Sequence, residues 1–151
     1  MKKAAAAVLA IATWGCIPDD GPTMHPGQNC LGCHGGVPSS TSREGGHATP
    51  WSFAGTAYLA LDAPANQGVQ GVIVTVTDAN GWTFDVHSNL VGNFYSAESV
   101  AFPLSICVGF QGVTRCMSEP APHGACNYCH ASPPLEGAPG RIVAGGSDVV
   151  P

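Results

Sequence analysis

Apolar residues fall along this chain in three patterns. Residues 4–12 form one unbroken run behind Lys2 and Lys3. A membrane-spanning helix takes about 20 apolar residues, so this run is too short to be one. A positive start followed by a short apolar run is the pattern of an export signal, so residues 1–15 are set apart from the fold. Residues 51–117 alternate instead. Val72-Ile73-Val74-Thr75-Val76-Thr77 is rich in β-branched residues and predicts a strand. Asp78-Ala79-Asn80-Gly81 predicts a turn, and residues 82–86 a second strand. A two-residue Asn80-Gly81 loop would set Val76 against Asp85 and mix the faces. A three-residue loop, Ala79-Asn80-Gly81 with Gly81 left-handed, sets Val76 against Phe84 and Val74 against Val86. The second register aligns the apolar sets and is preferred. Further strands are expected at residues 53–61, 93–96 and 103–110, with Leu104, Ile106, Val108 and Phe110 on one face. The third pattern, in residues 16–29 and 118–151, is sparse apolar residues broken by Pro and Gly.

Gln111-Gly112 reads as a two-residue hairpin loop. Phe110 then pairs with Val113, and Cys107 falls opposite Cys116 at a non-hydrogen-bonded position, where Cα atoms lie about 4.5 Å apart. That spacing accepts a disulfide, so Cys107 and Cys116 are expected to be bridged; two free thiols are the alternative.

The composition narrows the class. The chain has 151 residues, 44% hydrophobic and 10% charged, with 20 Gly and 13 Pro. So few charges argue against disorder along the whole length. So much Gly and Pro argues against a helical bundle. The net charge is −5, and beyond the signal only Arg43, Arg115 and Arg141 are basic. No basic footprint remains for nucleic acid.

Seven Cys and six His are the other excess, and the spacing of the Cys gives it meaning. Cys30-Leu31-Gly32-Cys33-His34 and Cys126-Asn127-Tyr128-Cys129-His130 are both C-x-x-C-H. In an exported chain this spacing indicates c-type haem attachment. Two thiols three positions apart on a turn can each add to a vinyl group of one haem, and the following His lies under the iron as proximal ligand. The rivals are a four-thiolate zinc site and structural disulfides. Zinc needs neither His34 nor His130, and an oxidising compartment works against free thiolates. On these two motifs the chain resembles a dihaem c-type cytochrome. The resemblance implies two covalent haems c, with Cys30, Cys33, Cys126 and Cys129 as thioethers and His34 and His130 as proximal ligands. For the sixth ligands, Met24 and Met117 each precede a motif and match two haems with none left over. His25 and His123, similarly placed, are the alternatives. His47, in a linker, and His87, at a strand end, are weaker candidates. Arg141 follows the second motif closely and is either a propionate partner or a plain surface residue.

Gly15-Cys16 resembles the end of a bacterial lipoprotein signal, although Thr13 and Trp14 depart from the usual residues. That resemblance implies a lipid on Cys16; ordinary cleavage nearby, leaving an odd thiol, is the alternative. Ile17 in place of an acidic residue favours the outer membrane. The expected location is therefore outside the cytoplasm, periplasmic or at the cell surface.

Residues 51–117 resemble the small carboxypeptidase-regulatory-like or transthyretin-like β-sandwich. The matching stretches are Ala54-Gly55-Thr56-Ala57-Tyr58, Gly71-Val72-Ile73-Val74-Thr75-Val76-Thr77-Asp78, Asn80-Gly81 and Gly92-Asn93-Phe94-Tyr95. Such domains are mostly scaffolds or binding modules, and no zinc-peptidase residues are present. The expected fold is mainly β, a small antiparallel β-sandwich with short irregular or helical haem-binding arms at both ends. The arms are residues 30–50 and 118–151, and residues 16–29 form a tether. Domain termini often lie together, so the two haems are expected to be neighbours. The expected function is single-electron transfer between redox partner proteins, without enzymatic activity. The alternatives are a peroxidase-like haem enzyme and a docking or assembly module among other cytochromes.

Overall fold

A computed structural model describes residues 21–35 and 50–145. The signal run, Cys16 and His47 lie outside the described residues, and so does part of each arm. Seven strands and two short helices are described, and the protein is mainly β. The strands are β1 (Phe53–Tyr58), β2 (Ile73–Thr77), β3 (Thr83–His87), β4 (Asn93–Ser96), β5 (Ser105–Phe110), β6 (Val113–Cys116) and β7 (Ile142–Val143). The helices are single turns that fall on the two motifs, α1 (Leu31–His34) and α2 (Cys126–Cys129). One sheet runs β3-β2-β5-β6 and the other β4-β1-β7, which makes a small sandwich.

Side-chain alternation explains the four-stranded sheet. Val74 and Val76 of β2 are fully buried, while Thr75 faces Asp85 across the solvent side and hydrogen-bonds it. The β2–β3 register is Val76 against Phe84 and Val74 against Val86, and Gly81 has φ 85°. The three-residue loop is therefore the one formed. Asp78 holds it in place: its carboxylate accepts from the N–H groups of Asn80 (2.8 Å), Trp82 (3.0 Å) and Ala101 (3.1 Å). Those hydrogen bonds, Ala101 first, hold the Asp78 carboxyl below its ordinary pKa. On β5 and β6, Phe110 pairs with Val113 and Cys107 with Cys116, and Cys107 and Cys116 are disulfide-bonded. Leu104, Ile106 and Val108 enter the core, and Phe110 packs against it.

Strand ends differ from the sequence expectation. Strand β1 stops at Tyr58, and Leu59 is exposed. Strand β5 starts at Ser105, with Leu104 in a lone bridge to Ala121. Strand β3 starts at Thr83. Strand β7 was not expected. It pairs in parallel with β1, Ala57 opposite Ile142, so one pair in the second sheet is not antiparallel. The C-terminal segment is thereby woven into the sandwich: β7 flanks β1, and Ala125 bridges Ala54. All six residues of β1 are buried as a result.

Candidate functional site

The C-terminal motif is set directly on β1. Gly55 makes this approach possible, since a Cβ there would stand 2.6 Å from the Phe94 ring and 2.9 Å from Cys126 Cβ. Cys126 and Asn127 are buried on α2. His130 has its Nδ1 2.9 Å from the Gly140 carbonyl. A carbonyl only accepts, so Nδ1 carries the proton and Nε2 keeps a free lone pair. Beside this motif lies a cavity of about 640 Å³ with mainly apolar walls, among them Phe94, Ile106, Val108 and Ile142. The same walls hold Cys126, Cys129, His130, Met117, His123 and Arg141. Arg141 is 8% exposed. Its Nη1 donates to Gly27 O (3.3 Å), and its guanidinium sits 4.8 Å from the Tyr58 ring centre. Its Nε is buried without a hydrogen-bond partner. No carboxylate pairs with it among the described residues. A buried cation with no anion is costly, so Arg141 gives this wall a demand for negative charge.

At the N-terminal motif, no residue of α1 is buried. His34 Nε2 lies 3.4 Å from Met24 Sδ, so Met24 faces the motif while the neighbouring His25 is exposed. His34 Nδ1 is buried with no hydrogen-bond partner. The His34 ring stacks on Trp51 at 3.7 Å between ring centres, and Trp51 stacks on Tyr95 at 4.1 Å.

Burial raises the pKa of the three free thiols among the described residues. Burial pushes the Cys126 thiol up to about 12, with the nearby Cys30 adding to it. Burial also raises Cys30. Cys129 is raised by burial first and then by Glu136. Cys30, Cys126 and Cys129 are free thiols, whereas Cys33 is disulfide-bonded. His123, Cys129 and Glu136 bring donor atoms within 4.8 Å of one another. His123 Nδ1 accepts from Ala125 N–H (3.3 Å), which leaves the ring proton on Nε2. His87, at the end of β3, is exposed and pairs with Ile73 of β2.

Sequence reasoning did not anticipate Asn127, Gly140, Trp51, Tyr95 or Glu136 at these sites. Asn127 occupies a variable position of its motif, and Gly140 acts through its backbone carbonyl, so neither leaves a residue-type signal. Among the described residues no helix is long and apolar enough to cross a membrane. Comparison with protein-family models, with curated proteins and with solved structures finds no match to this chain.

Proposed function

We propose that the protein is an exported dihaem c-type cytochrome that passes single electrons between redox partners, tethered to a membrane by a lipid on Cys16. One observation carries the reading: a single apolar cavity of about 640 Å³ gathers Cys126, Cys129, His130, Met117 and the unpaired buried Arg141. The volume lies within the range of cofactor sites. Each wall group matches a need of a covalently held haem: two thiols, an imidazole with a free Nε2, a thioether and a cation for a carboxylate.

The chain's residues divide the work as follows. Cys126 and Cys129 would hold the haem covalently, each Sγ–H adding across a vinyl double bond, sulfur to one carbon and hydrogen to the other. Nothing is oxidised or lost in that addition. His130 would hold the iron through Nε2, and its Nδ1–H on Gly140 O fixes the ring and its tautomer. Arg141, in the cavity wall, would pair with a propionate. Met117 would be the second protein ligand in preference to His123, whose Nε2 carries the ring proton. At the N-terminal motif Cys30, Cys33, His34 and Met24 take the same roles. Met24 and His34 touch in the structure, so they would have to part for both to bind an iron. Cys33 is disulfide-bonded, so a thiol reductant of the haem-attachment machinery would first have to supply two electrons and two protons to free its Sγ–H. The bound haem supplies the one-electron iron couple, and methionine ligation raises its potential.

An optical redox titration of the purified protein tests this. The expected result is two low-spin six-coordinate haems that titrate reversibly, with methionine signatures lost in Met24→Ala and Met117→Ala. A high-spin haem that binds cyanide or peroxide would favour the peroxidase-like alternative. A second reading rests on the convergence of His123, Cys129 and Glu136, a donor set for one divalent cation. It competes with haem for Cys129 and requires His123 to give up its Ala125 hydrogen bond. A colourless protein with one equivalent of zinc would establish it.

A further inference from the structure

We infer that the two haem sites form one electronically coupled pair, locked together by Asn127, a side chain of the second motif that holds the backbone of the first. The inference rests on the two-haem reading above. Asn127 is 3% exposed. Its Oδ1 accepts from Thr56 N–H (2.9 Å). Its Nδ2 donates to Gln28 O (2.8 Å) and Thr56 Oγ1 (2.9 Å), and lies 3.9 Å from Cys30 Sγ. Thr56 Oγ1 also accepts from Gly27 N–H (2.9 Å) and donates to Asn93 Oδ1 (2.8 Å). Asn93 Nδ2 donates to Met24 O (2.7 Å).

These bonds form one continuous network. It starts at Met24, the sixth-ligand candidate of the first site. It runs through Asn93, Thr56 and Asn127 to Gln28, two residues before Cys30, and Asn127 is covalently next to Cys126. Thr56 is fully buried and Asn93 is 5% exposed, so all three side chains lie away from water. Buried polar networks with every member satisfied are rigid and specify one arrangement. The first sulfur of one motif is thus fixed beside the second motif, 3.9 Å from Asn127 Nδ2. Two irons held at motifs joined in this way would lie within Coulomb range, so oxidation of one would raise the cost of oxidising the other. Asn127 is a positioning residue in this scheme and touches neither iron.

The test uses the full-length protein matured in a host that attaches haem. Intact mass counts the haems first, and Soret circular dichroism then reads their coupling. A bisignate Soret couplet is expected, together with two separated midpoint potentials. Asn127→Ala and the shape-preserving Asn127→Asp should keep both haems, lose most of the couplet and narrow the separation of the potentials. Two haems with a single-signed Soret band overturn the coupling and leave the dihaem reading intact. A mass without haem overturns both. A full couplet in folded Asn127 variants overturns the role of Asn127. If neither variant folds, Thr56→Val, which removes the shared hydroxyl, serves as the variant, with the same two outcomes.

Discussion

The two motifs spell the same pattern but stand in different surroundings. The C-terminal one has Cys126 and Asn127 buried against β1, its His130 Nδ1 bonded to Gly140 O and its cavity open beside it. The N-terminal one sits on a helix with no buried residue, its His34 Nδ1 lacks a partner, and Met24 lies against His34. If both motifs hold haem, the C-terminal site is built in advance of its occupant, and the N-terminal site would have to open to accept one. The same five-residue motif then stands preformed or closed according to the chain around it.

The largest expected effect comes from emptying each site in turn. Cys126→Ala with Cys129→Ala should remove one haem of the two and leave an apolar cavity unfilled, and empty core volume is destabilising. Cys30→Ala with Cys33→Ala should also remove one haem, with a smaller fall in melting temperature, because Met24 and His34 already fill the gap. Equal falls would break the comparison. Next comes the Cys107–Cys116 bridge, which closes a short loop with a sequence separation of 9. Cys107→Ser with Cys116→Ser should cost about 2–3 kcal/mol in denaturant unfolding. It should disturb the spectrum of the C-terminal haem, since Met117 follows Cys116 directly, and leave the N-terminal one unchanged. Gly55→Ala should cost about 1–3 kcal/mol, because its Cβ would press on Phe94 and Cys126. Haem occupancy should fall at the C-terminal motif alone.

The smallest effect lies away from both motifs. The folded pKa of Asp78 is below its unfolded value of about 3.9. The stabilisation is therefore complete above that value and is lost as pH falls through the lowered folded pKa. Asp78→Asn should be less stable than the parent at neutral pH, and the difference should shrink as both are acidified. A constant difference from neutral pH down to pH values below the folded pKa would show that the carboxylate charge is not what holds the loop.

Much of the scaffold was legible because period-two alternation ties register to face. Val74 and Val76 on β2 leave one satisfactory partner set on β3, and the Gln111-Gly112 turn places Cys107 on Cys116 without further information. Strand β7 was not legible because two residues, Ile142 and Val143, set among Pro and Gly carry no periodicity. The two C-x-x-C-H motifs stand out by spacing, and single helical turns fall on both. That Met24 rather than the adjacent His25 lies against His34 was not legible, because it depends on which side chain turns that way. The burial of Arg141 was equally hidden, since a lone Arg after a motif has the same letter whether it caps a surface or lines a cavity. Asn127 was missed because its value lies in three partners distant in sequence.

The most direct test of the account is the intact mass of the full chain matured in a host competent for haem attachment, compared with the chain made without that machinery. The account predicts a difference of two haems that survives denaturation and acid–acetone extraction, with tryptic peptides carrying one each at Cys30/Cys33 and Cys126/Cys129. Identical masses, with all colour extracted, would contradict it.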